Sequence, residues 1–382
     1  MANTLTVLIP KLLAGGIITL RENAVTPRLV NTGYSVTPQS FGSSITIPIA
    51  AAQAAAAVTP AATPPANIDH TPTSATLTLN KWYKSDFHLS DQDMTQIAAR
   101  NNFIPMQAAE AAKVLANQID ADLLALYKDI YQFAGTAGTT PFANDARSWT
   151  TGARKLLNQA LAPVRDRSVV LDEDAEANAV DLEEFQNAAW AGDAQGIREG
   201  VIGRKLGADW YMNQSVPSHT KGTLAAGTAL QLNAELAAGA STIVMKDSGG
   251  SLTGTMTLGD LFTIAGHAQQ YTCSALATAS GNLITVTFTP VAAATYAASS
   301  AVTHVASHVA NLAFHRDAFA LGFAPLVESD FGMANQSSIQ DPVTGATLRL
   351  EVTREYKQTT FRYDVLYGIT TVRASQAVRI LG

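Results

Sequence analysis

Between Leu29 and Asn80 the sequence carries one formal charge, Asp69, and six of the chain's fifteen prolines: Pro38, Pro48, Pro60, Pro64, Pro65 and Pro72. Proline fixes φ and removes an amide donor, so a stretch punctuated in this way cannot form an isolated helix. Nor does it have the composition of flexible disorder, which goes with high net charge and few β-branched residues. Runs such as Ser44-Ile45-Thr46-Ile47-Pro48-Ile49 and Ala75-Thr76-Leu77-Thr78-Leu79 favour strands instead. The segment is expected to be extended and to need another surface to lie on.

The chain's 382 residues exceed the usual size of a single core, so two or three lobes are expected. Charged residues make up 15%, against about 25% in an average globular protein. Ala, Thr, Ser and Gly replace them, which suits broad, flat protein–protein contact, where charge is depleted at the centre. The net charge is −6 and no Lys/Arg run exceeds the length of Arg204-Lys205. Tight DNA recognition needs a clustered basic face, so that class is excluded, whereas merely enclosing nucleic acid is not. Cys273 is alone, which rules out an intrachain disulfide framework. The start, Met1-Ala2-Asn3-Thr4, lacks a basic n-region, and Ala50 to Val58 falls short of the roughly 20 apolar residues that span a bilayer. A soluble cytoplasmic protein is the expectation.

The pattern along the chain predicts a short helix from Leu5 to Leu13 and a strand-like Arg28-Leu29-Val30. Lys81 to Leu89 alternates as a strand and is expected to pair with the outgoing strand of the uncharged arm. Ser90 and Asp91 offer N-cap chemistry. From Pro105 to Phe133 a stripe of Leu115, Ile119, Leu123, Leu126, Ile130 and Phe133 predicts a long amphipathic helix, roughly 45 Å in length. A helix over Ala146–Ala162, a strand at Ser168–Leu171, a helix capped by Asp172, Glu173 and Asp174 and running to Ala189, and a strand at Asp209–Met212 follow. Between Gly222 and Thr303 only Glu235, Lys246, Asp247 and Asp260 are charged. Short strands at Ser241–Met245, Leu261–Ile264 and Gln270–Cys273, with Ile284, Val286 and Phe288 alternating against threonines, predict a small antiparallel β-barrel or sandwich inserted into an α/β lobe. A helix is expected over Asn311–Leu321. Alternation of Leu348, Leu350 and Val352, and of Phe361, Tyr363, Val365 and Tyr367, predicts closing strands.

The sequence has no G-x-S-x-G elbow, G-x-G-x-x-G fingerprint or Walker loop. Gly200, Gly203 and Gly207 are spaced wrongly for a dinucleotide and read as turn glycines. His304, His308 and His315 form the one histidine concentration, with the first pair at helical spacing, but Asp317 is the one nearby acid. Hydrogen-bonded structural histidines are a better reading than a zinc site. Asp172, Glu173, Asp174 and Glu176 read as helix-capping acids, Glu183-Glu184 as a solvated face, and Asp120 and Asp122 as surface partners of Lys113 or Lys128. No catalytic, cofactor-binding or metal-ligating residue is assigned.

The element order and several segments resemble the α+β Hong Kong 97-type capsid fold of tailed double-stranded-DNA bacteriophages, in particular the coat-protein branch of short-tailed phages with an inserted domain. The segments are Asn3-Thr4-Leu5-Thr6 with Ile18 to Asn23, Gly203 to Tyr211 running into Val216 to Gly222, Asn311 to Phe319, and Tyr363 to Gly368. The resemblance covers essentially the whole chain. It implies an N-terminal arm (1–33), an E-loop (34–89), a spine helix of the peripheral domain (90–141), an axial domain in two parts (142–221 and 305–328), an inserted small antiparallel β-barrel domain (222–304) and a closing β segment (329–382). It further implies a structural major capsid protein and not an enzyme. Hexamers and pentamers of such a protein close an icosahedral shell in the host cytoplasm and enclose DNA without sequence-specific binding or membrane contact. A scaffolding protein and a portal are the implied partners. Competing readings are an encapsulin-like cellular compartment, a surface adhesin, which the poor export signal disfavours, and a hydrolase on the α/β lobe, which would lose turnover on changing His308 or Asp174.

Overall fold

Strand-rich segments interrupted by two longer helices divide this chain into two units. The computed structural model describes residues 8–34, 41–50, 55, 60, 72–93, 103–187, 200, 202–326, 334–341 and 344–382. The smaller unit takes Met1–Ile17, Thr32–Ala111 and Phe319–Val372, and the larger takes Ile18–Asn31, Ala112–Ala318 and Arg373–Gly382.

The smaller unit is built on the long strand Gln358–Thr371, which pairs antiparallel with Thr347–Glu355, Lys81–Ser90 and Phe319–Ala324, while Ala334–Gln340 extends the sheet beyond Thr347–Glu355. Leu348, Leu350, Val352, Phe361, Tyr363 and Val365 are buried, as their alternation requires. Helix Leu8–Asn23 begins in this unit. Gly16 brings that helix against the sheet: a Cβ there would meet the Tyr363 ring at 3.0 Å and Leu348 at 3.2 Å. The Tyr363 hydroxyl donates to the Leu12 carbonyl at 3.1 Å.

The larger unit holds a sheet in the order Phe133–Ala134, Ala377–Leu381, His308–His315, Arg167–Leu171, Ala208–Met212, Gly203–Lys205, with Ser218–His219 also on His308–His315. Arg167–Leu171 runs parallel to Ala208–Met212 and is buried throughout. Trp210 centres the core, with the rings of Phe142, Trp149 and Phe185 set edge-on at 5.4, 5.7 and 5.2 Å. A second core cluster in this unit draws on Leu224 to Val302 alone. Its strands run in the order Leu230–Leu232, Thr242–Asp247, Leu283–Thr289, Gln270–Cys273, Leu261–Ile264, Val302–His304. An antiparallel bridge between Gln231 and Ala301 joins the two outer strands. Buried Asp247 organises the loops at one end by accepting from the amides of Thr228, Ala229, Gly249 and Ser251.

Several expectations change. The first helix spans Leu8–Asn23, and Arg28 closes a 3-10 turn, Thr26–Arg28, instead of opening a strand. The long helix is Phe103–Leu124 followed by a 3-10 turn, Ala125–Asp129, so its α-helical part runs only about 33 Å. The chain leaves the helix there to bring Tyr127 beside His219 and Arg379. The helix capped by Asp172 is Glu173–Asp181, with a separate short Glu183–Gln186; its expected end at Ala189 lies outside the described residues. Asn311–Leu321 is not helical. It contributes to strands His308–His315 and Phe319–Ala324, joined by the turn Arg316–Ala318, and both strands are buried at every residue but Val309. A strand covered on both faces shows no alternation, so its apolar run is indistinguishable from a buried helix by period. Lys81–Ser90 pairs with Gln358–Thr371 instead of the arm, whose strands Ser44–Ile49 and Thr73–Thr78 pair with each other.

Two glycines fix how that hairpin sits. A Cβ at Gly368 would collide with the Thr78 carbonyl oxygen, and one at Gly322 would lie 2.8 Å from Leu77. Gly368→Ala is expected to lower stability by about 1–3 kcal/mol, because backbone, not a flexible side chain, stands in the way. Gly15 lies within helix Leu8–Asn23, and a Cβ added there would have nothing within 4 Å; Gly15→Ala is expected to stabilise by about 0.5–1 kcal/mol. Urea unfolding of the two variants checks the contrast.

Candidate assembly surface

In the smaller unit the arm is anchored at its base. Ile47 and Leu77 are buried with Ala320, and Leu79 is buried with Ala324 and Leu366. The arm therefore does not depend wholly on another copy: its base is held by its own unit. Phe41 and Trp82, at 58% and 52% exposure, stand beside this base with ring centroids 6.2 Å apart. Exposed aromatics of this size are the side chains that dominate protein–protein contacts.

Trp82 also borders a groove of about 540 Å³ lined by Lys84, Arg349, Glu351, Arg362 and Asp364. Register explains its charge order. Arg349 faces Asp364, and Glu351 faces Arg362; Asp364 in turn faces Lys84, and Arg362 faces Asp86. Opposite charges therefore alternate along and across the strands. The tightest pair, Arg349 to Asp364 at 2.7 Å, is buried, whereas Lys84–Asp86 is exposed and worth little. The face is polar but close to neutral.

The larger unit contains a buried polar joint that the sequence reading missed. Asp260 is wholly buried. Its carboxylate accepts from the Gly222 amide at 3.0 Å, the Thr257 amide at 2.7 Å and the Thr257 hydroxyl at 3.2 Å. His219 Nε2 lies 2.8 Å from the same carboxylate and His219 Nδ1 lies 3.0 Å from the Tyr127 hydroxyl. With its proton on Nε2 the ring donates to Asp260 and accepts from Tyr127. His304 Nε2 lies 3.3 Å from the other carboxylate oxygen. Burial by itself raises the Asp260 pKa; hydrogen bonds from His219 and Thr257, with the His304 ring close by, outweigh it and hold the carboxyl well below the usual range. Beside it, the Arg379 guanidinium is fully buried, donates to the carbonyls of Gly259 and Lys128 and to the Thr272 hydroxyl, and covers the Tyr127 ring at 5.0 Å. Burial pushes its pKa down to about 9. Gly259, at φ +92°, is required here, since a Cβ would strike the Lys128 chain at 3.0–3.2 Å.

The other singled-out residues are dispersed. His304 and His308 lie on strands, not one helix face, and His315 accepts from the Asp317 amide at 3.2 Å. Among the described residues no cluster of three or more His, Cys, Asp or Glu is placed to hold a metal ion. Asp120 is not a surface partner of Lys113 or Lys128. It is buried and accepts from the amides of Val25 and Thr26 and from Asn213, with burial raising its pKa against those bonds. Asp122 accepts from Gln118. Asp172 occupies the N-cap position without a side-chain bond to the helix, and Glu173, Asp174 and Glu176 fill the first turn. Glu183 and Glu184 are exposed. Gly200, Gly203 and Gly207 all have positive φ, as turn glycines do. Ser90 caps as expected: it accepts from the Asp93 amide at 3.1 Å while the Asp93 carboxylate accepts back from Ser90. Asp91 instead pairs with Arg354.

The sequence matches no family model and no curated protein. Solved structures do match. A chain of Mycobacterium phage Che8 aligns with a TM-score of 0.52 and 16% identity, over 94% of this chain and 90% of that one. The capsid structure of the cyanophage P-SCSP1u aligns with a TM-score of 0.50 and 12% identity, over 94% and 88%. The chain shares its fold with phage capsid proteins. That fold is α+β, and among the described residues no helix is long and apolar enough to cross a membrane.

The buried joint makes stability depend on pH. Burial, aided by the Arg379 charge and opposed by the Ala306 carbonyl, lowers the His308 pKa from 6.5 to about 4. The unfolded chain takes up this proton below about 6.5 and the folded chain only below about 4. Stability is therefore full above that window and falls as pH drops through it, by up to about 3 kcal/mol from this group. Asp260 extends the loss below its ordinary value of 3.8. Urea midpoints are expected to decline between pH 6.5 and 4, with a shallower slope in His308→Leu. Asp260→Ala is expected to cost about 3–5 kcal/mol at neutral pH, since it strips the buried donors of their acceptor.

Proposed function

We propose that this chain is the major capsid protein of a tailed double-stranded-DNA bacteriophage, assembling as hexamers and pentamers into an icosahedral shell around the genome. The shared fold over 94% of the sequence is the observation that carries this reading. In this reading residues 1–33 are the N-terminal arm and 34–89 the extended arm that reaches a neighbouring copy. Residues 90–141 are the spine, 142–221 and 305–328 the axial domain, and 329–382 the closing β segment. Residues 222–304 form an inserted β-barrel domain, as supported by the separate Leu224–Val302 core and the Gln231–Ala301 bridge.

Chemistry agrees with this role. Ser44–Ile49 pairs with Thr73–Thr78, which holds together the two ends of residues 50–72, a sequence with one formal charge. Low charge favours burial against another protein surface. A net charge of −6 keeps the shell from gripping DNA, so the genome is enclosed without sequence-specific contact. A scaffolding protein and a portal complete assembly in the host cytoplasm, and the mature protein resides in the virion. No catalytic step is assigned to it.

Electron microscopy of the purified chain, alone and with its co-expressed scaffold, is expected to show closed particles. Deleting residues 50–66 is expected to leave a soluble chain with unchanged helix content by circular dichroism but to cut particle yield at least ~10-fold, because multivalent closure amplifies the loss of each contact. Particles at normal yield from this deletion refute the role given to the arm.

A further inference from the structure

Opposite ends of the larger unit's sheet expose apolar side chains and carry opposite charge. The parallel strands Arg167–Leu171 and Ala208–Met212 define the two ends. Where they begin, Leu161 is 87% exposed, and Val164 and Leu206 are exposed beside it. Arg165 and Arg316 are exposed and Lys205 half-buried at this end; Asp166 and Asp317 are the acids among them, and Arg204 is already paired with Asp209. Where the strands finish, Tyr211 and Met212 are exposed, and Glu173, Asp174 and Glu176 form the first helical turn, outnumbering Arg28, whose charge reaches Tyr211. Five residues of strand separate the ends, about 17 Å.

The basic end is built to hold its shape. Leu161 and Asp166 have φ of +54° and +56°, a region that non-glycine residues occupy at a cost. The buried Arg167 guanidinium and Nε donate to the carbonyls of Ala162 and Pro163 at 2.7 and 2.8 Å, which fixes the turn between them. A leucine held in the left-handed region with its side chain in solvent is unfavourable to the monomer on both counts.

We propose that these two ends bind each other between copies of this chain. Leu161, Val164 and Leu206 of one copy cover Tyr211 and Met212 of the next, and Arg165 and Lys205 face Glu173 and Asp174. Two different patches meet, so the contact is head-to-tail and propagates around a ring of copies. The flanking charges set its register and association rate. The inference rests on the shell reading above and names one contact within it.

Sedimentation velocity of the full-length chain over a concentration series, with thermal unfolding of the same samples, tests it. Leu161→Asn is expected to weaken self-association at least ~10-fold while the thermal midpoint holds or rises, because asparagine tolerates the left-handed region. Arg165→Glu with Lys205→Glu is expected to weaken it similarly, and adding Glu173→Lys with Asp174→Lys to restore most of the loss. If Leu161→Asn associates like the wild type, or the fourfold variant associates no better than the double, this contact is overturned while a particle-forming wild type leaves the shell reading intact. A wild type that stays monomeric at every concentration overturns both.

Discussion

One carboxylate ties together both connections of the Leu224–Val302 core. Asp260 accepts from Gly222 where the chain enters that core and lies within ion-pair distance of His304 where it leaves. His219 adds a third tie and passes it through Tyr127 to the end of the long helix. A bare carboxylate at this depth would be costly; with donors around it the same low dielectric strengthens every bond. The arrangement makes the joint stiff, since each donor that leaves weakens the compensation of a buried charge. Arg379 reinforces it by joining the carbonyls of Gly259 and Lys128, so the turn that positions Asp260 is held from behind.

The smaller unit uses charge differently. Along one face of its sheet Lys84, Asp86, Arg349, Glu351, Arg362 and Asp364 stand in cross-strand register with their signs alternating. The other face is apolar, and the base of the arm is seated by the absence of two side chains, at Gly322 and Gly368. The hairpin thus has an orientation set within its own subunit. In the proposed assembly, an arm anchored in this way loses less conformational entropy on meeting a neighbour than a free tail would.

Legibility in the sequence follows how each segment is buried. One-sided elements are plain: Ile284, Val286 and Phe288 alternate with exposed threonines because one face meets a core and the other does not. Asn311–Leu321 reads wrongly as a helix because burial on both sides erases the period. The amphipathic stripe through Phe133 outlasts its helix because Tyr127 is drawn aside by a tertiary bond to His219, which no local pattern encodes. The polar joint is hidden for the same reason. Asp260, His219 and Arg379 are isolated in sequence and meet only through the topology of the strands that carry them. One signal points there: Asp260 is among four charges in some eighty residues, and a lone acid in a charge-poor β segment has a structural reason to be kept. Asp247 in the same segment is also buried and organises loops, whereas Glu235 is exposed.

In the proposed shell, where many copies must join without error, charge scarcity has a further consequence. Each exposed ion pair adds little affinity but fixes orientation. Apolar contact adds affinity without orientation. A subunit with few charges can therefore form contacts that are individually weak and still directional. Wrong placements dissociate, because they lack charge complementarity and bury too little surface. Correct ones persist, because closure lets each copy be held by several neighbours at once. Rigidity at the Asp260 joint and in the Arg167-braced turn matters to this balance. A contact surface that must be ordered on each encounter would lose in entropy what the weak contact gains.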